Sequence, residues 1–215
     1  MNGKFFTLVE NIAELFYLNV LWLLCSLPIL TVGASTTALL YVLMKKKRGE
    51  EGYMTKDYFK AFRQNFLQSS IIWLILLLIL SVTGTAFYIS NRNAEGTSTA
   101  ILILLGIIAS VFLLILIYVF ALQARYENTI AGTIKNSLLL AIGNLPDTIF
   151  MVALIASIVI LIVFVPYLII VLLLFGGAGI ANLLVPRYIK VFDRMTGEVT
   201  ENKEKGEQDD GEEKE

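Results

Sequence analysis

The chain contains no histidine, which removes histidine-based triads, histidine-rich zinc sites and axial-histidine haem ligation from the chemistry open to it. It contains one cysteine, Cys25. No internal disulfide can form, and a thiol inside an apolar run packs more readily than it reacts. Charge is also scarce: 16% of residues are charged, against about 25% in an ordinary soluble domain. Where the charges are missing matters more than how many there are. None occurs between Glu14 and Lys45, between Arg63 and Arg92, between Glu95 and Arg125, or between Asp147 and Arg187. Each interval exceeds the roughly 20 apolar residues needed to cross about 30 Å of hydrocarbon.

What fills those intervals is aliphatic on every side. Residues Ile71 to Leu80 read Ile-Ile-Trp-Leu-Ile-Leu-Leu-Leu-Ile-Leu, with no polar face to turn toward water, as lipid contact requires. Hydrophobic residues make up 57% of the chain. The fold class that follows is all-α: a polytopic helical membrane protein of about five transmembrane helices with an interfacial amphipathic helix. The last interval is too long for one crossing, so it divides at Val165-Pro166-Tyr167, where proline removes a donor and disfavours helix in the residue before it. The expected spans are 15–43, 69–90, 100–122, 148–165 and 168–186 within one transmembrane domain, 1–195. The first span is expected to be retained, because its flank lacks the basic residues and small-residue cleavage site of a signal peptide.

The first apolar interval contains Pro28 and Gly33 in a run of Ser and Thr. It reads either as one kinked crossing or as a broken hairpin. Thirty residues are few for two crossings, which favours the kinked span. It is preceded by a stretch in which Phe5, Val9, Ile12 and Phe16 alternate with Thr7, Glu10, Asn11 and Glu14 at helical spacing.

Sidedness follows from Lys and Arg at the span ends. Lys45, Lys46, Lys47 and Arg48 open the first loop; Arg125 and Lys135 mark the third connection; Arg187, Lys190 and Arg194 follow the last span. These three segments belong together in the cytoplasm, and an odd number of spans then places the amino terminus outside. The interfacial helix is expected at 56–68, where Tyr58, Phe59, Phe62 and Phe66 recur among Lys56, Lys60, Arg63 and Gln64. A faint repeat at an offset of 79 residues relates Lys56 and Asn65-Phe66 to Lys135 and Asn144-Leu145, each unit reading as span, polar segment, amphipathic stretch and returning span. Residues 196–215 are acidic and carry almost no residue able to pack, as expected of a disordered cytoplasmic tail.

Few residues remain to carry chemistry. No span holds an ionisable group of the kind that marks proton-coupled transport. Arg125 and Asp147 lie at a boundary where charge is cheap and read as anchors. Gly176-Gly177-Ala178-Gly179 lacks the Gly-Lys-Ser/Thr of a nucleotide loop and serves close helix packing. No convergent catalytic set is present, so an enzyme is not expected, nor a cofactor or a resident metal. Two candidate sites remain. An intramembrane polar site would use Asn19, Pro28, Thr36 and Asn182. A partner or lipid interface would use Lys45, Lys46, Lys47, Arg48, Tyr58, Phe62 and Phe66. Nucleic acid is excluded as a partner, because the basic run lacks a broad basic surface and reader elements.

Specific residues also carry a resemblance. The run Phe16-Tyr17-Leu18-Asn19-Val20-Leu21-Trp22 is followed by Leu27-Pro28-Ile29-Leu30-Thr31-Val32-Gly33-Ala34-Ser35-Thr36-Thr37-Ala38-Leu39. Together with Phe59-Lys60-Ala61-Phe62-Arg63-Gln64-Asn65-Phe66 and Ala141-Ile142-Gly143-Asn144-Leu145-Pro146, it resembles the YesL-like family of bacterial membrane proteins, a domain of unknown function. The resemblance covers about residues 1–195. It implies a multi-pass protein of the bacterial cell membrane and, from the genes that neighbour such proteins, an accessory role in carbohydrate uptake or utilisation beside a sugar-transport complex or another membrane protein. It supplies no catalytic residues. The expected function is thus an accessory or scaffold protein, the alternative being an autonomous transporter of small solutes or lipid.

Overall fold

The computed structural model describes residues 2–92 and 99–197. The acidic tail from residue 198 and the side chain of Phe5, both subjects of expectations above, lie outside the described residues. Among the described residues the chain is entirely helical: α1 (Asn2–Ser26), a 3-10 turn (Ile29–Thr31), α2 (Val32–Lys47), α3 (Met54–Arg92), α4 (Thr99–Arg125), α5 (Ile130–Gly143), α6 (Leu145–Phe164) and α7 (Leu168–Thr196). Five of these helices are long and apolar enough to cross a membrane: α1 from Val9 onward, α3, α4, α6 and α7. The all-α, polytopic architecture follows directly from the four uncharged intervals, because a backbone in hydrocarbon must satisfy its own hydrogen bonds.

The first apolar interval is not a single kinked crossing over 15–43. It is a helical hairpin. Pro28, held extended at φ −73° and ψ 113°, has no N–H to continue the ladder of α1. Thr31 then donates its hydroxyl to the carbonyls of Cys25 and Pro28 at 2.6 and 2.7 Å, satisfying acceptors that the end of α1 leaves open. Two bonds close the hairpin near its tip: Trp22 Nε1 donates to Thr36 Oγ1 at 3.1 Å, and Ser35 Oγ donates to the Trp22 carbonyl at 2.9 Å. At the open end Lys46 reaches both Asn11 and Glu14. α2 has 16 residues, about 24 Å, which is less than the hydrocarbon thickness.

This geometry corrects the expected position of the amino terminus. The start of α1 lies beside the basic end of α2, on the same side as the first loop, because the hairpin returns the chain to where it entered. The remaining long helices are even in number and bring the chain back to that side again. Arg125 at the end of α4 pairs with Asp193 of α7 at 2.9 Å, and Gln123 of α4 donates to Asn65 of α3 at 3.2 Å. The three basic segments therefore gather at one end of the molecule.

The aromatic-basic stretch at 56–68 is likewise not a separate interfacial helix. α3 runs unbroken through 39 residues, about 58 Å, because nothing in Leu67-Gln68-Ser69-Ser70 interrupts the i→i+4 ladder. Its first third is an extension of the span, packed against α2: Lys45 binds Asp57 at 2.8 Å and Thr37 meets Ser69 at 3.0 Å. The amphipathic stretch before α6 does form a separate helix, α5. Pro146 in the first turn of α6 cannot donate to Ile142, so the helix ends at Gly143 and restarts beyond Asn144. The 79-residue offset also aligns Ser69 with Thr148. Both hydroxyls bond to an earlier helix, Ser69 to Thr37 of α2 and Thr148 to Tyr118 of α4, each at 3.0 Å.

α2 approaches α3 and α4 closely at Gly33. A Cβ there would lie 2.5 Å from the Ser69 carbonyl oxygen, 2.8 Å from Trp73 Cβ and 2.9 Å from Phe120 Cε1. Gly33→Ala should therefore push α2 off α3 and α4 and cost about 1–3 kcal/mol, read as a lowered thermal midpoint in detergent. Gly84→Ala, which meets nothing within 4 Å, should leave the midpoint unchanged.

Candidate functional site

The four residues proposed as an intramembrane polar site do not come together. Asn19 is fully buried between α1 and α7. Its Nδ2 donates to the Leu173 carbonyl at 2.9 Å and its Oδ1 accepts from the Ala178 N–H at 3.1 Å. One amide thus holds a donor and an acceptor five residues apart on α7, beside Gly176 and Gly177. The close approach depends on those glycines: a Cβ on Gly177 would meet the Trp22 ring at 2.6 Å. Thr36 accepts from Trp22 in the same neighbourhood. Pro28 instead stands at the exposed tip of the α1–α2 hairpin, and Asn182 lies about a turn beyond Ala178 on α7, half-buried.

The other buried hydroxyls are similarly engaged between helices. A hydroxyl has one hydrogen. Ser35 gives its hydrogen to Trp22, so Tyr58 donates to Ser35, at 2.7 Å. Thr37 gives its hydrogen to the Gly33 carbonyl, so Ser69 donates to Thr37. Thr148 bonds to carbonyls of Ala141 and Asn144, so Tyr118 donates to Thr148. A cavity of about 560 Å³ opens among α1, α2, α4, α6 and α7. Its walls are almost wholly aliphatic and aromatic, including Leu39, Leu116, Phe120, Ile155 and Leu172, with Thr36 and the Trp22 and Tyr188 rings as the polar-bearing exceptions. Tyr188 turns its hydroxyl to the Ile117 carbonyl at 2.7 Å.

The residues proposed as a partner or lipid interface divide as well. Tyr58 is buried and faces Ser35, so it contributes to the core and not to a surface. Its neighbours at helical spacing fan outward from it: the rings of Tyr58 and Phe62 stack at 6.4 Å, and Phe62 meets Phe66 edge-on at 5.5 Å. Phe62 is half-buried and Phe66 exposed. In the basic run, Lys45 binds Asp57, Lys46 binds Glu14 and Arg48 binds Glu50. The hydrogen bond to Asp57 holds the Lys45 ammonium above the ordinary lysine range. Lys47 is exposed. The basic run is therefore largely neutralised pair by pair, while Lys56, Phe59, Lys60 and Arg63 form the outward face of the α3 extension.

A charged cluster that the sequence presents only as boundary anchors is assembled by the fold. Asp147, in the first turn of α6 and 3% exposed, accepts from Arg187 and Arg194 of α7 at 2.9 Å each, with Lys190 at 3.9 Å. The helix N-terminus adds partial positive charge beneath the carboxylate. Arg187 also lies 4.1 Å from the centre of the Phe150 ring. The i, i+3, i+7 spacing of the three cations was legible in the sequence; what it lacked was any indication that Asp147, forty residues earlier, would meet them.

Comparison with known proteins bears on the first half of this architecture. Residues 15–87 match a family model described as "Protein of unknown function, DUF624". Over 171 residues, 76% of this chain and 75% of the relative, the sequence is 27% identical to the "Uncharacterized protein YteU" of Bacillus subtilis (strain 168). Both matches are similarities to proteins whose printed descriptions give no function. No solved structure matches the chain. The matched segment opens within α1 and closes within α3, and so contains the hairpin, Asn19, Gly33 and the α2–α3 bonds; the Asp147 cluster falls beyond it. The five long apolar helices are those of a multi-pass membrane protein.

Two substitutions separate the contributions. Asn19→Ala leaves the Leu173 carbonyl and the Ala178 N–H without their partner; the expected loss is about 1–2 kcal/mol, measured by thermal unfolding in detergent. Asp147→Asn removes the charge that three cations share; with those cations partly solvated, the expected loss is about 1–3 kcal/mol, and it should shrink as salt is raised.

Proposed function

We propose that the protein is a non-catalytic membrane scaffold that presents the outward face of the α3 extension to a protein partner on its basic side. The observation that carries this reading is the use of the buried polar groups. Asn19, Ser35, Thr37, Ser69 and Thr148 all bond to neighbouring helices, which is the pattern of a packed support and leaves the central cavity apolar. A route for a polar solute needs groups that replace its hydration. By contrast, Lys56, Phe59, Lys60 and Arg63 combine aromatic area with charge on one helical face, a composition suited to recognition. By the positive-inside rule this side is the cytoplasm. The resemblance to YesL-like proteins suggests the partner: a component of a carbohydrate-uptake system.

The test is site-specific photocrosslinking in native membranes. Probes at Lys60 and Phe66 should trap one and the same protein, while a probe at Tyr88, at the opposite end of α3, should not. Capture of lipid alone from Lys60 and Phe66 would count against the scaffold reading. The 560 Å³ apolar cavity favours a second reading, movement of an apolar or lipid-like solute. In that case purified protein in liposomes should transport without a partner, and Thr36→Val should change the rate more than the stability.

A further inference from the structure

The basic cluster on α7 differs in its balance from the paired cations described above. Lys45, Lys46, Arg48 and Arg125 each face a carboxylate of their own, whereas Arg187, Lys190 and Arg194 share one carboxylate among the described residues, Asp147. Each guanidinium spends one nitrogen, Nη1, on the carboxylate and has five N–H donors in all. The side chains of Arg187, Lys190 and Arg194 are 36%, 50% and 46% exposed, so the surplus positive charge faces outward. It does so at the edge of the hydrocarbon, since Asp147 and Arg187 bound the uncharged interval that forms α6 and α7.

Directly above the cluster runs an apolar groove of about 220 Å³ between α6 and α7, lined by Ile158, Leu161, Ile162, Phe175, Gly179 and Leu183. Leu183 precedes Arg187 by four residues and Lys190 by seven, which puts groove and cluster on one face of α7. Gly179 keeps the floor open, for nothing lies within 4 Å of where its Cβ would be. A surplus of positive charge at a hydrocarbon edge, continuous with an apolar channel running into the membrane, is complementary to one class of molecule. We infer that α6 and α7 bind an anionic phospholipid, with the headgroup phosphate on Arg187, Lys190 and Arg194 and an acyl chain in the groove beneath Gly179. Basic pockets between membrane helices recognise anionic headgroups in this manner, and Arg suits phosphate because its donors match two oxygens at once. This inference is independent of the scaffold reading, whose surface is on α3.

The experiment uses the purified full chain, delipidated in neutral detergent and titrated with dioleoyl phosphatidylglycerol, dioleoyl phosphatidylcholine or glycerol 1-phosphate. Bound lipid is counted by native mass spectrometry and stability is followed by the thermal midpoint. Phosphatidylglycerol should remain bound and raise the midpoint where phosphatidylcholine does neither. Lys190→Gln should weaken phosphatidylglycerol about fivefold without lowering the lipid-free midpoint, because Lys190 stands 3.9 Å from Asp147 and makes no short bond to it. Gly179→Leu should fill the groove and weaken the lipid through its chain. Equal binding of both lipids would overturn the inference, as would wild-type affinity in Lys190→Gln and Gly179→Leu together. Stabilisation by glycerol 1-phosphate equal to that by phosphatidylglycerol would overturn it also, marking a site for a free anion.

Discussion

The structure depends on one constraint: any polar atom that the chain carries into hydrocarbon must find its partner inside the protein, because the bilayer offers none. Asn19 shows what this does to a fold. Its amide binds the backbone of α7 at two points, so the first and last helices of the bundle are tied at a place where neither could be displaced without exposing three polar groups. The α1–α2 hairpin is held to the rest in the same way. Ser35 receives Tyr58 from α3, Thr37 receives Ser69, and Trp73 Nε1 donates to the Ile29 carbonyl at the hairpin tip at 2.8 Å. Apolar side chains alone would give little preference for one arrangement over another in a solvent as apolar as they are. The hydrogen bonds and the glycine contacts at Gly33 and Gly177 supply that preference.

The same constraint sorts the charges. Asp, Glu, Lys and Arg lie outside the four uncharged intervals, and the even number of long helices after the hairpin brings the basic segments to one end. There the fold pairs charges across helices: Arg125 with Asp193, Lys45 with Asp57, and three α7 cations with Asp147. The pairing closes the end of the bundle and decides which surfaces remain charged toward the outside. It leaves two, the outward face of the α3 extension and the cationic edge of α7.

How much of this was written in the sequence depends on the range of the interaction. The spans were legible because hydrophobicity is a property of each residue. The break between α6 and α7 was legible because Pro166 acts on its immediate neighbours, ending one helix at Phe164 and letting the next start at Leu168. The hairpin was ambiguous because Pro28 is compatible with both a kink and a turn; the choice is made by Trp22 with Thr36 and by Lys46 with Glu14, contacts between residues that no local pattern connects. The extension of α3 was misassigned for a related reason: amphipathic periodicity shows that a helix has two environments, without saying whether the apolar side meets lipid or another helix. Here Tyr58 and Ser69 meet Ser35 and Thr37 of α2. Asp147 lay out of reach of local reading altogether, since its role is set by residues on another helix.

The unequal helix lengths carry the last step. α3 is about 58 Å long and the hydrocarbon about 30 Å, so close to half of α3 must stand outside it. Lys56, Lys60 and Arg63 all occur in the first third, which fixes the end that protrudes. An isolated helix projecting that far would fray, because a polar helix in water gains little from its own backbone. α2 prevents this by lying along that segment, where it bonds to Asp57, Tyr58 and Ser69. The shortness of α2 and the length of α3 are thus parts of one device. The second arm of the hairpin braces the first part of α3 through Tyr58, Ser69 and Asp57, holding a charged, aromatic face in place on the basic side.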